Sequence, residues 1–470
     1  MYDISNDCVM ILRKNIGIQM DNRYEERLGT QKMLPLIMNM TIPAVTAQLV
    51  NLLYNIVDRI YIGHISGIGT DALAGVGICN TLIIIIAAFA QFAGGGSAPL
   101  ASIELGKGNR EKAEGYLGNT LTFLMIFSGL LMILMYAFMN PLLRLTGASD
   151  VTIVYAVPYF SIYLAGSFFV MVNIGLNSFI SVQGRPRIAM ITTLIGAALN
   201  IILDPIFIFT LKMGVAGAAI ATVISQAVSA VWIIHFLVSG KATLRIEKKY
   251  LRPDPILIRS MAALGVSPFI MASTESLIGF VLNRKLADYG DIYISALTVM
   301  QSTLQFINVP LTGFSQGCIP IISYNYGHKN IGRVKEAFRI LLIVQVVYGL
   351  MLVMMMMFFP GLFARIFTKD ALLISTVEKI MPVFVAGMSI FGLQRACQNT
   401  FVAVDEAKIS VFIALLRKVF LLIPLALILP HFMGVMGVFS AEAIADATAA
   451  ICCTIIFIVK FPKILKSCEA

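Results

Sequence analysis

From residue 33 onward the chain alternates between long apolar stretches and short polar breaks. The pattern predicts twelve helices, over about 33–58, 72–103, 116–140, 152–181, 187–211, 214–238, 257–284, 293–323, 337–360, 372–402, 408–429 and 433–461. Each reaches the roughly 20 residues that cross the hydrocarbon of a bilayer. The breaks carry Gly, Pro, Asn, Asp and Lys/Arg, as turns do. The longest, GKATLRIEKKYLRPDP from Gly240 to Pro255, follows the sixth segment and divides the chain into halves of similar length.

The halves repeat each other. APLASIELGKGN (98–109) aligns without gaps with IPIISYNYGHKN (319–330), so that Pro99 meets Pro320, Ser102 meets Ser323, Gly106 meets Gly327 and Asn109 meets Asn330. MGVAGAAIATVISQA (213–227) aligns with MGVMGVFSAEAIADA (433–447), Pro43 with Pro268, and Asp58-Arg59 with Asn283-Arg284. A near-constant offset across separated segments marks a duplicated six-helix unit. Six is even, so both units start on the same side and form parallel repeats with a path between them. The expected fold class is an all-α membrane protein, twelve transmembrane helices in two parallel six-helix lobes. The expected organisation is a tail at 1–32, an N-lobe at 33–239, a linker at 240–256, a C-lobe at 257–462 and a tail at 463–470.

Composition agrees: the 470 residues are 58% hydrophobic and only 13% charged, against about 25% charged for a soluble chain. The net charge of +10 orients a membrane protein and meets anionic lipid rather than nucleic acid. With the N-terminus in the cytoplasm, 24 of the 35 Lys and Arg fall on the cytoplasmic side and 8 opposite, with Arg395, Arg417 and Lys418 inside helices. Both termini are therefore expected in the cytoplasm. A cleaved signal peptide is not expected in the polar first 32 residues, where Met20 offers a second plausible start. The seven cysteines are irregularly spaced and read as apolar fillers. No metal-ligand, nucleotide-loop or nucleophile-elbow motif is present, so no catalytic constellation is visible.

Charges at membrane depth are costly and mark candidate sites. Asp58 ends the first segment. Asp204 lies inside the fifth, with Asn200 one turn earlier on the same face and Pro205 freeing a carbonyl beside it. Thr222 adds a hydroxyl from the sixth. Two carboxylates, an amide and a hydroxyl suit a hard ion such as Na⁺, and a carboxylate removed from water can hold a proton instead. The alternative is that Asp58 merely pairs with Arg59 or caps a helix. Tyr159, Asn173 and Asn177 on the fourth segment, and Gln48 and Asn51 on the first, either face a substrate path or join helices. Glu275 in the seventh offers a negative charge to an organic cation. Arg395, Arg417, Glu442 and Asp446 form a possible C-lobe ionic cluster, read either as structural pairs or as a binding element. The 25 methionines, with a run at Met354–Met357, suit either an adaptable surface or contact with lipid.

VDRIYIG after the first helix, QGRPR before the fifth, LNIILDPIF within it and MGVAGAAIATVIS at the sixth resemble the multidrug and toxic compound extrusion (MATE) family over about residues 33–462. The resemblance implies a V-shaped secondary antiporter that expels organic cations and other drugs in exchange for H⁺ or Na⁺, with no other cofactor. Asp58, Asn200, Asp204 and Thr222 match the family's N-lobe cation site, and Tyr159, Asn173 and Asn177 match positions lining that lobe. Glu275 lies near the seventh-helix acid of NorM-type members, but GLQRACQNTF (392–401) lacks their tenth-helix acid. The chain is thus closer to bacterial drug exporters with an N-lobe site. A monomer in the bacterial inner membrane, with lipid around it, is expected. The rival reading is a flippase for a lipid-linked or polysaccharide precursor, favoured only by Arg395, Arg417 and Lys418.

Overall fold

The computed structural model describes residues 27–65 and 68–469, and all regular structure among them is helical. The first span is Met33–Gly63, the second Gly69–Gly106 and the third Arg110–Ala137. The fourth is broken into Ile153–Ala165 and Ser167–Val182, which meet at 55°. The fifth is Pro186–Pro205, continued by a π-turn at Ile206–Thr210, and the sixth Gly214–Val238. The second half runs Pro255–Ala287, Asp291–Gly327, Ile331–Phe358, Ala371–Ala403, Ala407–Met433 and Val435–Glu469. Among the described residues, ten helices are long and apolar enough to cross a membrane, and the bent fourth makes eleven. The eighth has the length, at 37 residues, but Gln301, Gln305, Asn308 and Gln316 interrupt its apolar surface.

The repeat extends to backbone detail. Asn109 caps the third span by accepting from the Lys112 amide at 3.1 Å, and its counterpart Asn330 caps the ninth through Arg333 at 3.3 Å. A Ser/Thr/Asn/Asp side chain at this position satisfies a helix N–H that would otherwise lack a partner. The turn just before each cap is left-handed, at Gly108 in one half and Lys329 in the other.

The halves join at the end that carries the basic residues. There Gly106 and Gly327 lie at a crossing of the second and eighth spans. A Cβ on Gly106 would strike the Tyr324 carbonyl, and one on Gly327 the Ile103 carbonyl. Tyr324 and Ile103 are themselves repeat equivalents, so the contact has two-fold symmetry. His328 Nδ1 lies 3.1 Å from the Gly106 carbonyl, and the Ser102 hydroxyl donates to Pro320 at 3.0 Å. One apolar core runs through both halves here, from Leu100 and Leu117 to Phe401 and Phe457. Toward the opposite end the second half has a core of its own, with Leu282, Met300, Phe363 and Phe439. The lobes are therefore fused on the basic side and divided on the other.

The segment between the halves is stapled down. Gln183 Oε1 accepts from the amides of Thr243 and Leu244 at 2.8 and 3.1 Å. Asn119 accepts from the Asp254 amide at 2.7 Å and donates to the Tyr250 carbonyl at 3.4 Å, while the Thr122 hydroxyl donates to Leu251 at 2.8 Å. Asp254 then caps the seventh span. Asn119→Ala removes the partner of a half-buried amide and carbonyl of this segment, and is expected to cost about 1 kcal/mol. Thermal unfolding in detergent, read beside protease cutting at 245–254, checks it. Unchanged cutting would show that the Asn119 bonds do not hold the segment.

Candidate functional site

Packing of the first span on the fifth and of the fifth on the sixth brings Asp58, Asn200, Asp204 and Thr222 together. Asp204 is fully buried, Asn200 is 2% exposed, and Asp58 and Thr222 are each 9% exposed. The Asn200 amide donates to Asp204 Oδ1 at 3.2 Å and to the Thr222 hydroxyl at 3.3 Å. The Asp58 carboxyl lies near that of Asp204.

The local fold explains the approach. Directly after Asp204, Pro205 lacks the amide an α-helix needs, and the chain widens into the π-turn Ile206–Thr210. Gly217 of the sixth span rests on the backbone of Phe207, where a Cβ would lie 2.7 Å from the carbonyl carbon. Only a residue without a side chain lets the sixth span, and Thr222 with it, come so near. The Tyr61 and Phe209 rings pack edge to face at 6.3 Å where the first span meets the π-turn.

Three buried oxygens of this cluster have no hydrogen-bond partner among the described residues: Asp58 Oδ1, Asp204 Oδ2 and Asn200 Oδ1. All are acceptors, and acceptors buried together without a donor are unfavourable unless positive charge lies among them. Carboxylate, amide and hydroxyl oxygens are the donor set of a hard cation. The same oxygens can instead share a proton between two carboxylates. Asp58, Asn200, Asp204 and Thr222 are the residues that would hold a Na⁺.

Tyr159 lies nearby, 4% exposed, with its ring stacked on Tyr163 at 6.4 Å. Both it and Tyr54 stand close enough to Asp58 to feel its charge. Tyr54 and Tyr163 escaped the sequence reading, although each lies one turn from a residue it singled out.

The other candidates are elsewhere. Asn173 donates to Gln226 of the sixth span at 2.6 Å, and Asn177 to the Ala189 carbonyl of the fifth at 3.3 Å. In this structure both amides join helices inside the N-lobe. Gln48 donates to Gln316 at 2.9 Å, a bond from one lobe to the other. Asn51 is half-buried, and its carbonyl accepts from Asn55. The Glu275 side chain lies outside the described residues, as do residues 1–26 of the N-terminal tail.

The C-lobe charges divide. Arg417 and Asp446 form an ion pair at 2.6 Å, 12% and 1% exposed. Arg395 reaches instead to Asn308 at 3.0 Å and to the Thr312 hydroxyl, both on the eighth span. Arg395 and Arg417 share the face of Phe391, at 5.9 and 4.3 Å from its centroid. Within the possible C-lobe cluster, Arg417 and Asp446 are thus a buried pair, and Arg395 is also tied to the eighth span. Arg417→Met leaves Asp446 buried without its partner and is expected to cost about 3–5 kcal/mol. Adding Asp446→Leu is expected to recover most of that loss in thermal unfolding. No recovery would mean that the two residues do not act as a pair.

The MatE family model matches residues 43–206 and again 268–428, once in each half. The multidrug export protein MepA of Staphylococcus haemolyticus (strain JCSC1435) is 24% identical over 416 residues, 88% of this chain and 91% of that protein. MepA of Staphylococcus aureus (strain MRSA252) is 24% identical over 423 residues, 89% and 92%. Among solved structures, MATE in a bent conformation superposes with a TM-score of 0.87 at 24% identity, covering 95% of this chain and 99% of that one. An outward-facing multidrug resistance MATE family transporter of the MOP superfamily gives 0.86 at 23% identity, covering 93% and 98%.

Proposed function

This chain belongs to the MATE family, and from that premise we propose that it is a secondary antiporter exporting organic cations or drugs from a bacterial cell in exchange for H⁺ or Na⁺. The observation that carries the reading is the buried group of Asp58, Asn200, Asp204 and Thr222, with three acceptor oxygens that lack a donor. Positive charge bound there changes the net charge of the N-lobe interior, and with it the cost of closing water out of that lobe. A ligand shifts a conformational equilibrium only by its differential affinity for the two states. A cation that binds strongly when the lobe is closed around it meets that requirement. Fusion of the lobes on the basic side supports alternating access by rocking, with both termini on the cytoplasmic side. The similarity to MepA over nine-tenths of both chains supports drugs as the substrate class.

The flippase reading requires free cations in the central path. Arg417 is spent on Asp446, and Arg395 is engaged with Asn308 and Thr312. Of the three basic residues that favour this reading, Arg417 is neutralised by Asp446, so it rests on Arg395 and Lys418 alone.

Uptake of a fluorescent organic cation into inside-out vesicles, under separately imposed pH and Na⁺ gradients, tests the proposal. Accumulation driven by one gradient is expected, and names the ion. Accumulation indifferent to both gradients would remove the antiporter reading.

A further inference from the structure

A cleft of about 390 Å³ opens between the second, third and seventh spans. Its walls are almost wholly apolar, with four phenylalanines, Phe89, Phe92, Phe123 and Phe127, at their centre. The rings pack on one another, Phe123 on Phe127 at 3.9 Å and Phe92 on Phe123 at 5.4 Å, and Phe269 of the seventh span closes on Phe89 at 5.0 Å. Ile126 stands on its rim, 57% exposed. It begins the row of exposed apolar side chains that continues along the third span through Leu130, Ile133 and Leu134. Such a row is what a helix presents to acyl chains, so the cleft opens sideways into the bilayer.

One edge of the cleft is different in chemistry. Its polar lining is Asn119 and Thr122, the residues that staple the segment between the lobes. That staple places Pro253 on the cleft wall, with the exposed Arg252 beside it in sequence. Arg259, also exposed, follows Ile258, another wall residue. Neither arginine has an ion pair or hydrogen bond among the described residues. An apolar slot open to lipid, with two exposed arginines next in sequence to its wall residues on the basic face of the protein, has the chemistry of an anionic phospholipid's two ends.

We propose that this cleft binds an anionic phospholipid of the leaflet on the basic side, one acyl chain among the phenylalanines and the headgroup phosphate at Arg252 and Arg259. The site stands apart from the Asp58–Asp204 group and does not depend on which ion or drug is transported. It crosses the lobe boundary, since Phe269 and Ile258 belong to the seventh span and the other rings to the second and third.

The chain's only tryptophan, Trp232, lies 44% exposed on the sixth span and reports ordinary surrounding lipid. The test reconstitutes the full chain in phosphatidylcholine vesicles containing equal amounts of brominated phosphatidylglycerol or brominated phosphatidylcholine. Two reporters, Phe123→Trp and Ile126→Trp, each carry Trp232→Phe. The second, on the exposed rim, serves if the first disturbs folding. Quenching at either reporter is expected to favour the anionic lipid by about 5-fold for each cation in reach, and Trp232 in the parent to show little preference. Arg252→Ala with Arg259→Ala is expected to abolish the preference while leaving quenching by the zwitterionic lipid in place. Equal quenching by both lipids at the reporters, no quenching at all, or a preference that survives loss of both arginines would overturn the proposal.

Discussion

Asp204→Asn is expected to bring gradient-driven export down to the background of vesicles lacking the protein, with the fold intact. The substitution keeps the shape of a fully buried side chain and its capacity to hydrogen-bond Asn200, which now lies 3.2 Å away. It removes the negative charge and the proton-accepting oxygen. Under the antiporter reading the cation then no longer distinguishes the closed lobe from the open one, and no differential affinity means no coupling. Asp58→Asn, on the neighbouring carboxyl, is expected to fail in the same way. A monodisperse elution profile and an unshifted melting temperature would separate lost coupling from lost folding. Full gradient-driven export by Asp204→Asn would remove it from the mechanism.

The second large effect is expected from a single methyl group. Gly327→Ala places a Cβ against the backbone of Ile103. The obstacle is a carbonyl, not a side chain that can turn aside. The second and eighth spans must separate on the side where the lobes are fused. Overpacking of this kind costs about 1–3 kcal/mol. Charged to one state of a two-state transporter, that is a shift of about 5- to 150-fold in population. Transport is expected to fall, and Cys318, fully buried in the joint core about two and a half turns from Gly327, is expected to react faster with a maleimide applied from the basic side. The other six cysteines would be replaced for this measurement. Unchanged Cys318 reactivity, with Gly327→Ala active, would show that the crossing yields without parting the lobes. Gly106→Ala, its repeat equivalent, is expected to behave alike.

Much of this was legible in the chain. Apolar segments of fixed minimum length, basic residues collected on one side and motifs recurring at an offset near 221 follow from bilayer thickness, charge cost and gene-level repetition, all of which act on sequence directly. The alignment paired Asn109 with Asn330, and the structure gave the pair its role as helix caps. The Asp58, Asn200, Asp204 and Thr222 set was also visible, because ionisable groups are rare at membrane depth and stand out there.

What the chain could not disclose were partnerships between helices. An amide on a polar face has the same sequence signature whether it lines a path or bonds its neighbour, and only packing assigned Asn173 to Gln226 and Asn177 to Ala189. Arg395 and Arg417 looked like members of one cluster. Their rotation about different helices sends one to the eighth span and the other to Asp446. The phenylalanine cleft has no motif at all, because its rings come from three helices and its cations from a connecting segment. Sequence by itself determined how many helices there are, where they turn and which groups resist burial, since each depends on a residue and its near neighbours. Tertiary structure alone decided which buried groups meet, since that depends on helix rotation and the closeness of approach that Gly217 and the Gly106–Gly327 crossing permit.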